Sequence, residues 1–527
     1  MRTRILNSKF LILNFALVAS AACRDAVPAS VHAQSEAARV AASNEPAAPA
    51  GGHAGPPLLK TLRLARATHT KPMEPEPSRG SNMEREPFRR ANIVGAEIDA
   101  AAEGLPPHRS VDLTWGTVDG GWVLEDGYRF RGKRFTDSTK ALGRATVGAD
   151  GRLAAHFTIP EDFGGVHAIT VSDAGVPLAQ GGIEVTQTFE LHPSEGPIGT
   201  PIELRVTGFG WRTMESTWVV NWDNHEVGYV SATDTRGTAV ARFRASGPVG
   251  DHEIKVYTGY MGQSYLNHEQ APNAYLPRPR FVFRVTPGTV AAGGHAETYP
   301  AQKVPAPDAG AAGARLSVTP VQGPVQTRAV LTGGGFPAHA SVSLVWGTQA
   351  GSRVSGNGFA PQEHELAKLV VGADGRLNAP LTIPDDLGGM HTLSVRSGGK
   401  TLARASFAIE TSVVSISPTS GPAGTPVTIH LKGVGWTDVD NIYVATYDNA
   451  YMGYACGFNS QGDVIVNFTA AGSPGMHLID FYPGIYQGPG TDQQLYRLPQ
   501  LTYADDHPGN KIPALRFAFE VTSSRKN

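Results

Sequence analysis

The heptapeptide Val-Gly-Ala-Asp-Gly-Arg-Leu stands twice in the chain, at Val147–Leu153 and at Val371–Leu377. Each copy leads into the same run, Thr158-Ile159-Pro160-Glu161-Asp162-Phe163-Gly164-Gly165 against Thr382-Ile383-Pro384-Asp385-Asp386-Leu387-Gly388-Gly389. Upstream, LTWGT at Leu113–Thr117 matches LVWGT at Leu344–Thr348. Downstream, Glu195–Trp211 matches Ser420–Trp436, Trp222–Tyr229 matches Tyr447–Tyr454, and Pro277–Thr286 matches Pro513–Thr522. The offset between copies is 224 or 225 through the middle and drifts to 231 and 236 at the ends, where loops differ in length. A repeat this long means that one folded unit, whatever it is, occurs twice. Each unit divides again, because TGFGW at Thr207–Trp211 is similar to TGGGF at Thr332–Phe336 and both open a β-rich run. The order is A-B-A′-B′: A over 86–186, B over 187–286, A′ over 315–410 and B′ over 411–522, with a Gly/Ala/Pro linker at 287–314. Few contacts are expected across that linker, so fragments 85–286 and 315–527 should each fold alone.

The period inside the units is two. Pro426-Val427-Thr428-Ile429-His430-Leu431 alternates, as does Ile202-Glu203-Leu204-Arg205-Val206, and Asp150-Gly151 and Asp374-Gly375 supply tight turns between such runs. With 61 Gly and 39 Pro in 527 residues, turns are frequent and long helices are disfavoured. The predicted fold class is all-β: tandem immunoglobulin-like antiparallel β-sandwiches, four in number as a duplicated pair. VVSISPTSGPAGTPVTIHLKGVGW at Val413–Trp436 resembles the opening of an IPT/TIG-type immunoglobulin-like domain, and Phe189–Trp211 does too. In that family a strand is followed by Pro-x-x-Gly-Pro, a Gly-Thr turn, a second strand and a Gly-x-Gly-aromatic corner. The segment from Leu316 keeps most of this pattern, and the first unit keeps almost none of it before Gly104. The resemblance spans about 420 residues and implies a fold, not a function, since such modules serve as spacers, adhesins and binding domains alike.

The start of the chain reads as an export signal. Arg2, Arg4 and Lys9 precede a 13-residue apolar run, Phe10–Ala22, too short to span a bilayer. Ser20-Ala21-Ala22-Cys23 is similar to a bacterial lipobox, which makes Cys23 the candidate lipidated residue; cleavage after Ala33 is the rival reading. Residues 24–85 are rich in Ala, Pro, Glu and Ser without apolar periodicity, and are expected to be a disordered tether. The protein is therefore expected at the outer membrane or cell surface as a lipoprotein, or periplasmic or secreted. A net charge of −2 leaves no electrostatic footprint for nucleic acid, and two cysteines exclude a disulfide scaffold.

No catalytic constellation emerges, so the chain is read as non-enzymatic, with no cofactor and no metal. His-Glu pairs begin at His225, His252, His268 and His364, but none has the second His of a zincin helix. His167 and His391 are read as structural, and Asp223-Asn224 and Asp448-Asn449 as hairpin turns. Asp438-Val439-Asp440-Asn441 is read as a solvated loop, and Cys456, which aligns with Ser231, as an inert thiol. The paired tryptophans Trp115/Trp346 and Trp211/Trp436 are read as core. Two insertions stand out, one between Tyr257 and Arg280 and a longer one from Tyr482 to Arg516; they carry eight of the fifteen tyrosines. Tyr offers a flat apolar face and a polar tip at low entropy cost. Tyr260, Tyr265, Tyr275, Tyr486, Tyr496 and Tyr503 are therefore candidate ligand contacts, for a glycan or an envelope protein. The rival expectation is that these loops cover sheet edges or join neighbouring units. Either way the leading function is a binding or adhesion rod of the cell envelope, with carbohydrate binding through the tyrosines and a structural role in an envelope assembly as alternatives.

Overall fold

A computed structural model of the chain describes residues 59–67, 92–260, 263–271, 274–305, 313–352, 358–457, 461–486 and 498–523. The signal segment, Cys23 and Tyr496 lie outside the described residues, as does the side chain of Tyr260. From Leu59 to the end the chain clusters as one compact unit.

The structure is almost all β. Sheets of three strands alternate with larger ones of five or six. In the second unit, Thr188–His192, Pro201–Thr207 and Ala239–Arg244 make the small antiparallel sheet. Trp218–Trp222, His225–Val230, Gly250–Tyr260 and Arg280–Thr286 make the larger one, whose far edge takes Glu195–Pro197 in parallel. The opening strand of the unit thus starts in one sheet and ends in the other. The same arrangement recurs around Ser412–Ser417 and Ser420–Pro422 and around Arg315–Thr319 and Gln322–Pro324. Alternation along the strands puts one face of each sheet inward. Pro201–Thr207 buries Ile202, Leu204 and Val206 and exposes Pro201, Glu203 and Arg205, as the period of two requires. Opposed inner faces resemble immunoglobulin-like sandwiches, each closed around a large ring: Trp115, Trp218 and Trp346 are all at most 1% exposed. The Asp-Asn pairs are hairpin turns, as expected, with φ of 47° and 66° at Asp223 and Asn224 and 49° and 64° at Asp448 and Asn449.

Three expectations need correction. First, the tether is not unstructured to residue 85. Lys60–Thr61 pairs in parallel with Ala179–Gln180, and Arg63–Arg66 pairs with Ile98–Ala101, so this stretch supplies the opening strands that the first unit was missing. The cause is local: Leu62 is 3% exposed and Leu64 partly buried, between exposed Thr61, Arg63 and Ala65, a period-two pattern hidden within an Ala/Pro-rich segment. Second, the linker is not free of contacts. Gly293–Ala296 forms a strand against Leu515–Ala518. A Cβ on Gly294 would come within 2.2 Å of the Phe517 ring, so glycine is what allows the pairing. Third, the units are not strung out as a rod. One apolar cluster joins Trp218, Val220, Ile254 and Phe283 of the second unit to Tyr482, Leu501, Tyr503 and Ala514 of the fourth. Fragments 85–286 and 315–527 therefore share a core, and neither buries it alone.

Candidate functional site

The long hairpin of the first unit reaches the junction of the second and fourth. Its strands, Ser110–Glu125 and Arg129–Thr146, have 16 and 18 residues, against 11 and 12 for their counterparts Ser341–Gly351 and Phe359–Val370. The extra length carries an aromatic tip. Phe130 is fully buried with Val219 and Tyr229 of the second unit and Val439, Ile485 and Leu498 of the fourth. The tip is fixed by polar contacts as well. The backbone N–H of Trp122 donates to Asp234 Oδ1 at 2.9 Å, its indole donates to the Asp506 carbonyl at 2.6 Å, and the Phe130 N–H donates to Asp438 Oδ2 at 3.0 Å. The Asp438–Asn441 loop is thus a docking surface for this tip and not a solvated loop: Val439 is 5% exposed and Asn441 fully buried.

Beside the tip lies a buried polar cluster. Lys133 Nζ donates to Ser216 O at 3.2 Å and to Ser216 Oγ at 3.0 Å. Asp506 Oδ1 accepts the Asp234 N–H at 2.7 Å. His507 sets Nε2 against the Val439 carbonyl and Nδ1 against the Gln500 side-chain carbonyl, both at 2.5 Å. Burial dominates the titration here: it pushes the Lys133 ammonium down to about 7, the Asp506 carboxyl up, and the His507 imidazole down to about 3. The consequence for His507 has a definite sign. Between pH 6.5 and about 3 the unfolded chain binds a proton at His507 that the folded chain does not, so this residue's contribution to stability is lost as pH falls through that window. The limiting slope is about 1.4 kcal/mol per pH unit. Asp506 acts with the opposite sign, so the difference between wild type and His507→Gln isolates the histidine. We expect urea midpoints at pH 7 and pH 5 to be closer together in the variant; equal spacing would place His507 in water.

The tyrosines divide. Tyr503 is 2% exposed and closed to any ligand, because its ring packs 6.1 Å from that of Tyr482 in the shared core. Its hydroxyl meets Glu297 of the linker and accepts from Arg516 at 3.1 Å. Tyr486 is half-buried, and its N–H donates to the Asp438 carbonyl at 2.7 Å. Tyr265 is half-buried and Tyr275 is 62% exposed, with its hydroxyl on Glu215 at 3.0 Å. Around Tyr503 the fourth-unit insertion adds to the second unit: the Tyr229 N–H donates to the Pro499 carbonyl, the Tyr229 carbonyl accepts from the Leu501 N–H, and the Arg242 N–H donates to the Leu501 carbonyl. Edge strands from both sheets of the second unit are covered this way, which is the joining role that was the rival expectation.

The repeat-paired histidines are structural. His167 stacks on Trp115 at 4.1 Å and His391 on Trp346 at 4.5 Å, with ring nitrogens on the backbone carbonyls of Gly116 and Phe163 and of Gly347 and Leu387. Cys456 is half-buried on its strand. Among the described residues no group of three His, Cys, Asp or Glu side chains is placed to hold a metal ion. Sequence reasoning missed the hairpin tip and the buried polar cluster beside it, although the offset change between LTWGT and VGADGRL marks the hairpin's seven extra residues.

No protein-family model matches the chain, and no curated protein matches it. Among solved structures, similarity extends to Salmonella alpha-2-macroglobulin reacted with methylamine, at 9% identity over 82% of this chain and 30% of that one, with a TM-score of 0.16. A four-domain ectodomain fragment of ICAM-5 is 14% identical over 72% of this chain and 95% of that one, with a TM-score of 0.16. A putative membrane anchored protein from Corynebacterium diphtheriae is 10% identical over 84% and 91%, again with a TM-score of 0.16. This chain spans under half the length of the alpha-2-macroglobulins it matches. Likenesses this weak carry no argument, and the β-sheet architecture rests on the strand pairing alone.

Proposed function

We propose that this chain is a non-enzymatic binding and structural protein of a cell envelope, exported and held there through a lipid on Cys23. The observation that carries the structural half is the use of its irregular segments. The long hairpin, the linker and the fourth-unit insertion are all engaged in joining sandwiches, through Phe130, Glu297 and Leu501. Side chains that in a binding loop would face solvent instead close a core, so the body presents partners with one rigid surface. Preorganisation of that kind lowers the ordering cost of association. The export half rests on the basic start, the apolar run Phe10–Ala22 and Cys23. Glycan binding through the insertions draws on Tyr265 and Tyr275, whose rings remain at least partly accessible.

Fractionation of expressing cells tests the anchor. Cys23→Ala should move the protein from the membrane fraction to the soluble one, and cross-linking followed by pull-down from solubilised envelope should recover a partner with the wild type. Equal partition of variant and wild type removes the lipid anchor, and recovery of the protein alone removes the assembly role.

A further inference from the structure

The two copies differ at the place where each A-type unit meets the B-type unit that follows it. In the first copy the centre of this place is Asp162, fully buried and flanked by two cations: Lys140 Nζ at 3.1 Å and Arg236 Nη2 at 3.0 Å. Arg236 also donates to Asp119 and to the Val118 carbonyl, each at 3.0 Å, and its guanidinium lies 5.5 Å from the Phe163 ring centre. In the second copy the aspartate is retained as Asp386, 7% exposed. Strand register and repeat alignment identify the other counterparts. Trp115 pairs with Lys140 and Trp346 with His364, so His364 replaces the lysine. Gly120 pairs with Phe135 and Gly351 with Phe359, so Ala350 replaces Asp119. Arg236 precedes Gly237, packed on the Asp162 carbonyl; Gln461 precedes Gly462, packed on the Asp386 carbonyl. Gln461 therefore replaces the arginine.

What the first copy fills, the second leaves open. A cavity of about 420 Å³ is lined by Asp386, Asp385, Thr348, His364, Gln461 and Phe359, among others. That volume suits a small ligand or one side chain of a partner. Its polar lining is rich in acceptors. Among the described residues Asp386 takes only neutral donors, the Trp346 indole at 2.8 Å and the Leu387 N–H at 2.8 Å. The Asp385 carboxylate is held by Lys432 through Oδ2, while its other oxygen, Oδ1, is buried and has no hydrogen-bond partner among the described residues. Neither has the hydroxyl of Thr348, a residue only 8% exposed. A buried carboxylate that no cation of the described residues pairs, beside unpartnered oxygens of Asp385 and Thr348, favours a cationic ligand with several donors. Guanidinium, with five N–H donors in a planar fork, meets that demand better than a point-like ammonium. In the first copy the corresponding carboxylate, Asp162, takes its cations, Lys140 and Arg236, from within the chain.

We propose that the cavity between Asp386, Thr348 and Gln461 is a binding site for a guanidinium group, carried either by an arginine side chain of a polypeptide or by a free alkylguanidine. This goes beyond the envelope reading and does not depend on it, since binding requires neither the lipid anchor nor a recovered assembly.

Calorimetric titration of the full chain tests it with two probes, agmatine and the tripeptide acetyl-Gly-Arg-Gly-amide, against their ammonium analogues cadaverine and acetyl-Gly-Lys-Gly-amide. Saturable binding of a guanidinium probe is expected, at least about tenfold tighter than its ammonium analogue, in line with bidentate carboxylate pairing. Tighter binding of the tripeptide than of agmatine identifies a polypeptide source, and the reverse order a free alkylguanidine. Gln461→Arg should place the missing guanidinium in the cavity, as Arg236 does in the first copy, and weaken the bound probe by at least about tenfold. Asp386→Asn, which keeps an acceptor for the Trp346 indole, should weaken it similarly and serves if the arginine variant does not fold. Absence of saturable binding by both guanidinium probes overturns the proposal. So does binding that Gln461→Arg and Asp386→Asn leave unchanged, or binding in which the ammonium analogues do as well.

Discussion

Asp480→Ala should cost about 3–5 kcal/mol of stability, as expected for one partner removed from a buried ion pair. Asp480 lies on the strand Gly475–Pro483 of the fourth unit, with its side chain 2% exposed. Two guanidinium groups share its carboxylate. Arg244 of the second unit reaches Oδ1 at 2.5 Å and Oδ2 at 3.2 Å, and Arg516 reaches Oδ2 at 3.4 Å. Arg244 also donates to the Phe517 carbonyl at 2.9 Å, and Arg516 pairs with Glu297 at 2.7 Å. Alanine leaves Arg244, 8% exposed at its side chain, without a carboxylate in a site that water does not reach. The paired replacement Arg244→Met with Asp480→Leu should recover much of the loss, because apolar groups of similar volume avoid the desolvation cost altogether. Urea unfolding of the three variants is the measurement. A loss below about 1 kcal/mol for Asp480→Ala would mean that the pair is solvated and the second and fourth units are not packed as described.

The three charged positions also explain why the junction was not foreseen. The duplication was read for what its copies share, and this contact is built from what they do not. Asp480 aligns with Lys255 by its register to Arg516, as Lys255 pairs with Arg280. Arg244 aligns with Thr469, each opposite the proline that opens the neighbouring strand. In the second unit Lys255 and Arg280 pair with Glu253 near the surface; in the fourth, the inverted charge at Asp480 accepts an arginine from the other copy. Two copies in one chain can diverge into complementary partners, and charge inversion at an aligned position is the trace this leaves in a sequence. By contrast, the strands, the Asp-Asn turns, the buried Trp115 and Trp346 and the histidines stacked on them were legible, because each depends on local pattern or on repetition at equivalent positions; Trp211 and Trp436, expected in the core as well, are only half-buried. The opening strand at Arg63–Arg66 was not. Its composition matched a tether, and it is the neighbouring strands Glu97–Ala102 and Val176–Val185 that give Leu62 and Leu64 a face to cover. The tyrosine insertions were recognised as exceptional, but composition cannot tell a ring offered to a ligand from a ring offered to the next sandwich.

That distinction is testable at Tyr503. We expect Tyr503→Ala to lower stability by about 3–5 kcal/mol, the range for buried aromatic side chains cut back to alanine. The ring belongs to a cluster with Leu501, Tyr482 and the second unit's Trp218, so its loss opens a cavity that backbone on both sides resists closing. That backbone is held in place. Leu501 donates to the Tyr229 carbonyl at 2.9 Å, Arg242 donates to the Leu501 carbonyl at 2.8 Å, and Asp505 Oδ2 accepts the Val240 N–H at 3.0 Å. Tyr503→Phe separates packing from polarity. It retains the ring and removes only the hydroxyl between Glu297 and Arg516, which stay paired with each other, so a smaller loss of about 0.5–1.5 kcal/mol is expected. A loop that merely lay on the surface for a ligand would behave otherwise, since exposed substitutions stay within about 0.5 kcal/mol. If Tyr503→Ala unfolds at the wild-type denaturant midpoint, the insertion is a flap, the shared core is not formed, and Tyr503 returns to the candidates for ligand contact. If it unfolds early while Tyr275→Ala, with its ring 62% exposed, does not, the two insertions have divided the roles that their composition suggested for both.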